Sequence, residues 1–132
     1  MNTPKVFSQN ITVTKEHLDE MHHVNNLVYI GFLLDAATAH WNTTVPAEIS
    51  DTIRWVVRKH EIEYLKQAEE GDILTVKTWV DDFEGVTSLR YYEILKNNSL
   101  VVKAKTLWVA LDAFTLKPKR LDPAALKILF FE

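Results

Sequence analysis

Cysteine is absent from the 132 residues, which removes disulfides, a thiolate nucleophile and thiolate-bound metal from the available chemistries. Glycine is almost as scarce. Gly31, Gly71 and Gly85 stand far apart, so no glycine-rich loop can cradle the phosphates of a nucleotide. An excess of positive charge is missing too: fifteen Lys and Arg against eighteen Asp and Glu leave a formal charge of -3, with no electrostatic footprint for DNA or RNA. The opening MNTPKVFSQN has one Lys and then polar residues where a signal peptide needs an apolar core, so the expected address is the cytoplasm. What remains is 47% hydrophobic and 25% charged, the proportions of one folded domain spanning residues 1–132 with a single core. No repeat, low-complexity tract or nucleophile-elbow motif interrupts it.

Alternation of apolar and polar residues from Phe7 to Thr14 predicts a first strand. A His-rich stretch, EHLDEMHH, separates it from an apolar run over Val24 to Trp41, which predicts a helix. Asn25 or Asn26 can cap its start, and Asn42 followed by Pro46 can stop it. Its apolar residues leave no clean polar face, which predicts burial on most sides. Asp35 interrupts the run, so a membrane span is not expected, and the carboxylate itself is expected to be buried and hydrogen-bonded.

Four strand-like segments follow, Ile53 to Leu65, Ile73 to Asp82, Val86 to Lys96 and Leu100 to Leu111. The breakers between them, including the Asn97-Asn98 pair, suit antiparallel hairpins and are too short for crossover helices. Pro123 then opens a short apolar segment that reads as a final helical turn or two. A strand, a long apolar helix and four more strands predict an α+β fold: an antiparallel sheet of about five strands wrapped around one long buried helix. Open sheet edges predict homo-oligomers, a dimer or a tetramer.

Chemistry concentrates in His17-Leu18-Asp19-Glu20-Met21-His22-His23-Val24-Asn25-Asn26-Leu27-Val28-Tyr29, which places a carboxylate, imidazoles and two amides just before the helix. Backbone N–H groups at a helix start carry about half a positive charge and can hold an oxyanion, while a nearby carboxylate can attack, or direct water at, a polarised carbonyl. Each residue also has a plainer role open to it. Asp19 can be a solvated turn residue and Asn25 only a cap. His17, His22, His23 and Asp19 can be weighed as metal ligands, but they lack the H-x-x-x-H spacing of a helical metal site.

The segment DEMHHVNNLVYIGFLLDAA resembles the D-x-x-G-H-V-N-N-x-x-Y signature of hotdog-fold acyl-thioester hydrolases, the 4-hydroxybenzoyl-CoA thioesterase group and the plant acyl-ACP thioesterases. EIEYLKQAEEGDILTVKTWV, VTSLRYYEI and AKTLWVALDAFTLKPKRL extend the resemblance to near the C-terminus. It implies a hotdog fold and hydrolysis of an acyl-CoA or acyl-ACP to a free acid and a thiol, with no cofactor and no metal. By position it makes Asp19 the catalytic carboxylate, as nucleophile or general base. Asn26 becomes the residue whose N–H polarises the carbonyl, while His23, Asn25 and Tyr29 shape the site. His22 stands where most bacterial relatives have Gly. Met21 and Gln67 stand where the plant enzymes are proposed to use Asn and Glu.

Tyr29 and Phe32 of the helix, together with Trp or Tyr side chains of the sheet, are expected in the acyl-binding walls. Arg54, Arg58 and Lys59 form a compact basic cluster for the phosphates of CoA or of a carrier's pantetheine, although a solvated strand face accounts for them equally. A hotdog hydratase or dehydratase, or an acyl-CoA-binding domain without turnover, are the other classes compatible with such a fold.

Overall fold

The computed structural model describes residues 3–132, in the order β1 (Phe7–Thr12), a 3-10 turn (Lys15–His17), α1 (Asn26–Thr44), α2 (Ala47–Ser50), β2 (Ile53–Tyr64), β3 (Ile73–Glu84), β4 (Thr87–Lys96), β5 (Ser99–Asp112) and α3 (Pro123–Phe130). The strands make one antiparallel sheet in the order β1-β3-β4-β5-β2. This is the hotdog arrangement that the resemblance implies. Tight turns join β3, β4 and β5. Asn97 and Asn98 sit at φ 50° and 64°, the left-handed pair whose twist matches that of the flanking strands, and Gly85, at φ 61°, makes the β3–β4 turn. Register shifts at Val57/Lys59 in β2 and Val80/Asp82 in β3 add local twist.

Helix α1 starts where the Asn25 side chain accepts the Leu27 N–H at 2.9 Å. It ends later than the sequence suggests. Asn42 lies within the helix, which runs on to Thr44 and stops because Val45, ahead of Pro46, is forced into extended backbone. Val24 is likewise outside it, held in an antiparallel bridge to Leu18. Tyr29, Leu33, Ala36, Ala37 and His40 recur at helical spacing and face the sheet.

The expectation of burial on most sides does not hold for the single chain, because α1 is covered along one face only. Leu27 is 73% exposed, and Asp35 also lies on the open strip, with no side-chain hydrogen bond or ion pair among the described residues. The curled sheet reaches one side of the helix, so apolar composition all round does not produce burial all round.

Two packed clusters fix the helix. Its N-terminal half lays Tyr29 and Leu33 on Val76, Ile94 and Val102 of the sheet. Farther along, Trp41 packs with Phe83 and with Leu126 and Phe130 of α3. Fully burying each such side chain stabilises the fold by about 1.5–3 kcal/mol. Asp122 caps α3 by accepting the Ala125 N–H at 3.2 Å, one residue before Pro123 opens the first turn. No helix among the described residues is long and apolar enough to cross a membrane.

Candidate active site

The Leu18–Val24 bridge closes residues 19–23 into a loop immediately before α1. Asp19 organises that loop. Its N–H donates to the His23 carbonyl at 2.8 Å, its carbonyl accepts the His22 N–H at 3.0 Å, and its Oδ1 accepts from the N–H groups of Met21 at 2.9 Å and His23 at 3.2 Å. These bonds fix the carboxylate and leave Oδ2 without a partner among the described residues. The loop is tied to the body by Val24 N–H donating to Ala68 and Asn25 N–H donating to His17, both at 2.9 Å. His22 takes φ 62° at the tip, the left-handed conformation that suits the Gly of the motif.

At the helix start the Leu27 N–H is taken by the Asn25 side chain, while the Asn25 carbonyl accepts from Val28 at 2.9 Å and from Tyr29 at 3.4 Å. The Asn26 N–H meets no acceptor among the described residues. It is therefore a free donor at the positive end of a 19-residue helix.

That helix start and Asp19 open on one cleft of about 750 Å³. His23, Asn25 and Tyr29 share its first wall, and Tyr64, Leu65, Lys66 and Gln67 from the end of β2 and beyond form the second. Two lining groups are buried without a hydrogen-bond partner, His23 Nδ1 and the Tyr29 hydroxyl. Leaving such a group unpaired costs about 1–3 kcal/mol. Burial pushes the Tyr29 phenol above its usual range against a weaker opposing effect of the Ala68 backbone, so the hydroxyl keeps its proton at neutral pH.

The sequence profile of the acyl-ACP thioesterase N-terminal domain matches residues 4–129. The chain belongs to that thioesterase family. It is 30% identical over 126 residues, 92% of either chain, to the acyl-CoA thioester hydrolase YbgC of Escherichia coli. The probable thioesterase YbaW from Escherichia coli shares its fold with a TM-score of 0.83 at 24% identity, over 94% of this chain and 98% of that one. The Staphylococcus aureus protein SAV2348, solved in complex with CoA, reaches a TM-score of 0.81 at 16% identity, over 96% and 83%. The protein is thus a hotdog thioester hydrolase.

Within this thioesterase Asp19, His23, Asn25, Asn26 and Tyr29 come together at the cleft. Phe32 does not line it. It stands behind, edge-on to His17 at 5.1 Å and to Tyr29 at 6.4 Å between ring centroids. The basic trio also lies elsewhere. Arg54 opens on a second cavity, Arg58 is exposed at the β2 register shift, and Lys59 pairs with Glu61 at 3.2 Å. The cation lining the thioesterase's cleft within one chain is Lys66, whose Nζ donates to Ser99 Oγ at 3.0 Å.

Sequence reasoning missed Lys66, Tyr64 and Leu65, although they occur in the EIEYLKQAEE stretch that resembles the family. Met21 and Gln67, the two positions where the plant pattern is not reproduced, do converge on the cleft with uncharged side chains. His17 Nδ1 is taken by the Thr14 N–H at 2.9 Å, and no three His, Asp or Glu among the described residues are placed to share a metal ion.

Proposed function

We propose that the thioesterase hydrolyses acyl-CoA with Asp19 and the Asn26 backbone N–H as its working pair. One observation carries the reading: a fixed carboxylate with one unengaged oxygen and an unpaired helix-start N–H open on the same cleft. The thioester carbonyl oxygen accepts from Asn26, which stabilises the charge that develops on it. The free Asp19 oxygen then attacks the carbonyl carbon, or takes a proton from a water that attacks. The C–S bond breaks and the thiolate leaves and is protonated. By the first route water hydrolyses the resulting anhydride, and both routes end in a free acid and a thiol.

CoA is favoured as the carrier by the name of the 30% identical relative and by Lys66 in the cleft wall, an ammonium with a hydroxyl but no carboxylate partner among the described residues. His23 Nδ1 and the Tyr29 hydroxyl are available to the bound thioester.

The active form is a homodimer joined through β2. That strand pairs with β5 on one side and leaves its other edge open, with Val56 43% and Val57 38% exposed, while Leu27 stands out from the uncovered face of α1. Asp19→Asn tests the chemistry. The variant is expected to fold and bind acyl-CoA while kcat falls by about a hundredfold or more, because Asn retains the size but loses the basic, nucleophilic oxygen. Near-native kcat in the folded variant, measured by thiol release, refutes the assignment.

A further inference from the structure

Helices α1 and α3 both pack on one face of the sheet, the face that carries Val76, Val80, Ile94 and Val102. An antiparallel sheet with its other face in water alternates apolar and polar residues along each strand, whereas strands covered on both sides read as continuous apolar runs. Strand β5 breaks the alternation, because Leu107-Trp108-Val109-Ala110-Leu111 contains no polar residue. Strand β4 inverts it. There Ser88 and Arg90 are buried on the core face, while Leu89 and Tyr91 point outward between them.

The strand register joins such outward residues into one patch. Trp79 stands opposite Tyr91, Leu89 opposite Leu107, and Val109 opposite Val56, and the Trp79 and Tyr91 rings stack with centroids 6.1 Å apart at 17°. None of the six is buried. Beside the patch runs a row of charge whose sign alternates from strand to strand, Lys77, Glu93, Lys103 and Glu63. Four strands about 4.8 Å apart and eight residues at about 3.3 Å each make this face roughly 500 Å² per chain.

We infer that the outer face of the sheet is an interface between copies of this chain, on which two β2-joined dimers stack back to back into a tetramer. The inference rests on the homodimer proposed above. Charge and area single out a second copy as the occupant. A row of alternating sign and no net charge is complementary to its own image across a two-fold axis, whereas a surface of one sign, such as nucleic acid or an anionic membrane, meets as many repulsions as attractions there. Two single chains stacked in this way bury roughly 1,000 Å² in total, the lower limit of a specific interface. Pairing of β2 about a two-fold axis normal to the sheet sets two patches side by side and doubles the area to roughly 2,000 Å², the range of stable complexes. Stacking therefore follows edge pairing, and a chain that cannot pair through β2 stays single. The sheets then lie about 10 Å apart, and the Asp19 cleft, at the start of α1 on the opposite side, stays open.

Sedimentation of the whole protein across a concentration series tests the assignment. Wild type is expected to be a tetramer at micromolar concentration and to dissociate to a dimer on dilution. Leu107→Glu places one unpaired carboxylate per chain in the stacked face and is expected to weaken the dimer–tetramer step at least about a hundredfold, while circular dichroism and hydrolysis by the dimer stay native. Trp79→Arg is expected to act alike. Trp41, Trp55 and Trp108 line the cavity on the helix side, so Trp79 is the tryptophan of the outer face, and acrylamide quenching of wild-type fluorescence should fall as the tetramer forms.

A wild type that stays dimeric throughout the series would overturn the inference, as would a tetramer that either folded variant leaves intact. Constant quenching across tetramer formation would overturn it without recourse to a variant. A monomeric wild type, or folded Leu107→Glu that sediments as an inactive monomer, would strike the β2 homodimer itself and the stacking with it, so the two failures are told apart by the species left in solution.

Discussion

Acidification should destabilise this protein well above the range in which carboxylates titrate, and His40 is the reason. Its ring is 5% exposed, stacked on Phe7 at 5.2 Å and edge-on to Phe130 at 4.9 Å, with Nδ1 accepting from the Arg90 guanidinium. That bond requires the neutral tautomer protonated on Nε2. A second proton would remove the acceptor and set two cations side by side. The unfolded chain takes up this proton near 6.5 and the folded protein only near 4, so the unfolded state binds more protons between those values and stability falls as pH falls.

From pH 7 to pH 5 the His40 contribution to that loss is about 2 kcal/mol, or roughly 6–10 °C in Tm for a chain of this length. Burial lowers His60 as well and acts in the same direction, so the comparison must be between variants. His40→Gln keeps an acceptor for Arg90 but cannot titrate. Urea unfolding at pH 7 and pH 5 should show wild type losing about 2 kcal/mol more than His40→Gln over that interval. Equal losses would mean that the folded imidazole titrates like a solvated one, and the account of the Arg90–His40 pair would be wrong.

Replacing His22, at φ 62°, by Gly should relieve left-handed strain and stabilise the fold by about 0.5–1 kcal/mol in urea unfolding, with hydrolysis retained. Tyr29→Phe deletes a buried hydroxyl that has no partner in the free protein. Stability should hold or rise by up to about 1 kcal/mol, while kcat/KM falls roughly tenfold for the hydrogen bond lost to substrate. Val57→Asp places a charge on the open β2 edge and should shift sedimentation to a monomer with loss of hydrolysis; an active monomer would remove the proposed dimer.

Strand positions were legible because alternation is a local signal. Phe7, Ile11 and Val13 shared a predicted face, and residues Phe7, Gln9 and Ile11 are indeed the more buried ones of β1. The Asp19 loop was legible because its chemistry is contiguous in sequence. The far wall of the cleft was not, since Tyr64 to Gln67 reach Asp19 only after β2 has crossed the sheet to pair with β5. Asp35 was misjudged for a different reason. Hydrophobic composition states what can be buried, whereas exposure depends on which surfaces the chain actually supplies, and one curled sheet covers only one side of α1. Arg90 did carry a signal. Ser88, Arg90, Tyr92 and Ile94 occupy alternate positions of β4, so the apolar members of the set place the arginine on the core face.

Buried polar groups left without partners are few here, and their positions carry information. Thr78 donates to the Tyr91 carbonyl, Ser88 to that of Asp82, and Trp108 to the Tyr92 hydroxyl, so the sheet satisfies its own polar groups. Among the described residues the exceptions are His23 Nδ1 and the Tyr29 hydroxyl, both at the start of α1 and both lining the Asp19 cleft. An unpaired buried group lowers stability whatever its position, and a fold shaped by packing alone would scatter such groups or eliminate them. Both line the cleft where the proposed substrate binds, and a bound thioester that supplies the missing partners would recover that cost on association. The strained loop tip at His22 stands next to that cleft and has a matching effect: it lets the Met21 and His23 N–H groups converge on Asp19 Oδ1, and that convergence holds the carboxylate at the cleft.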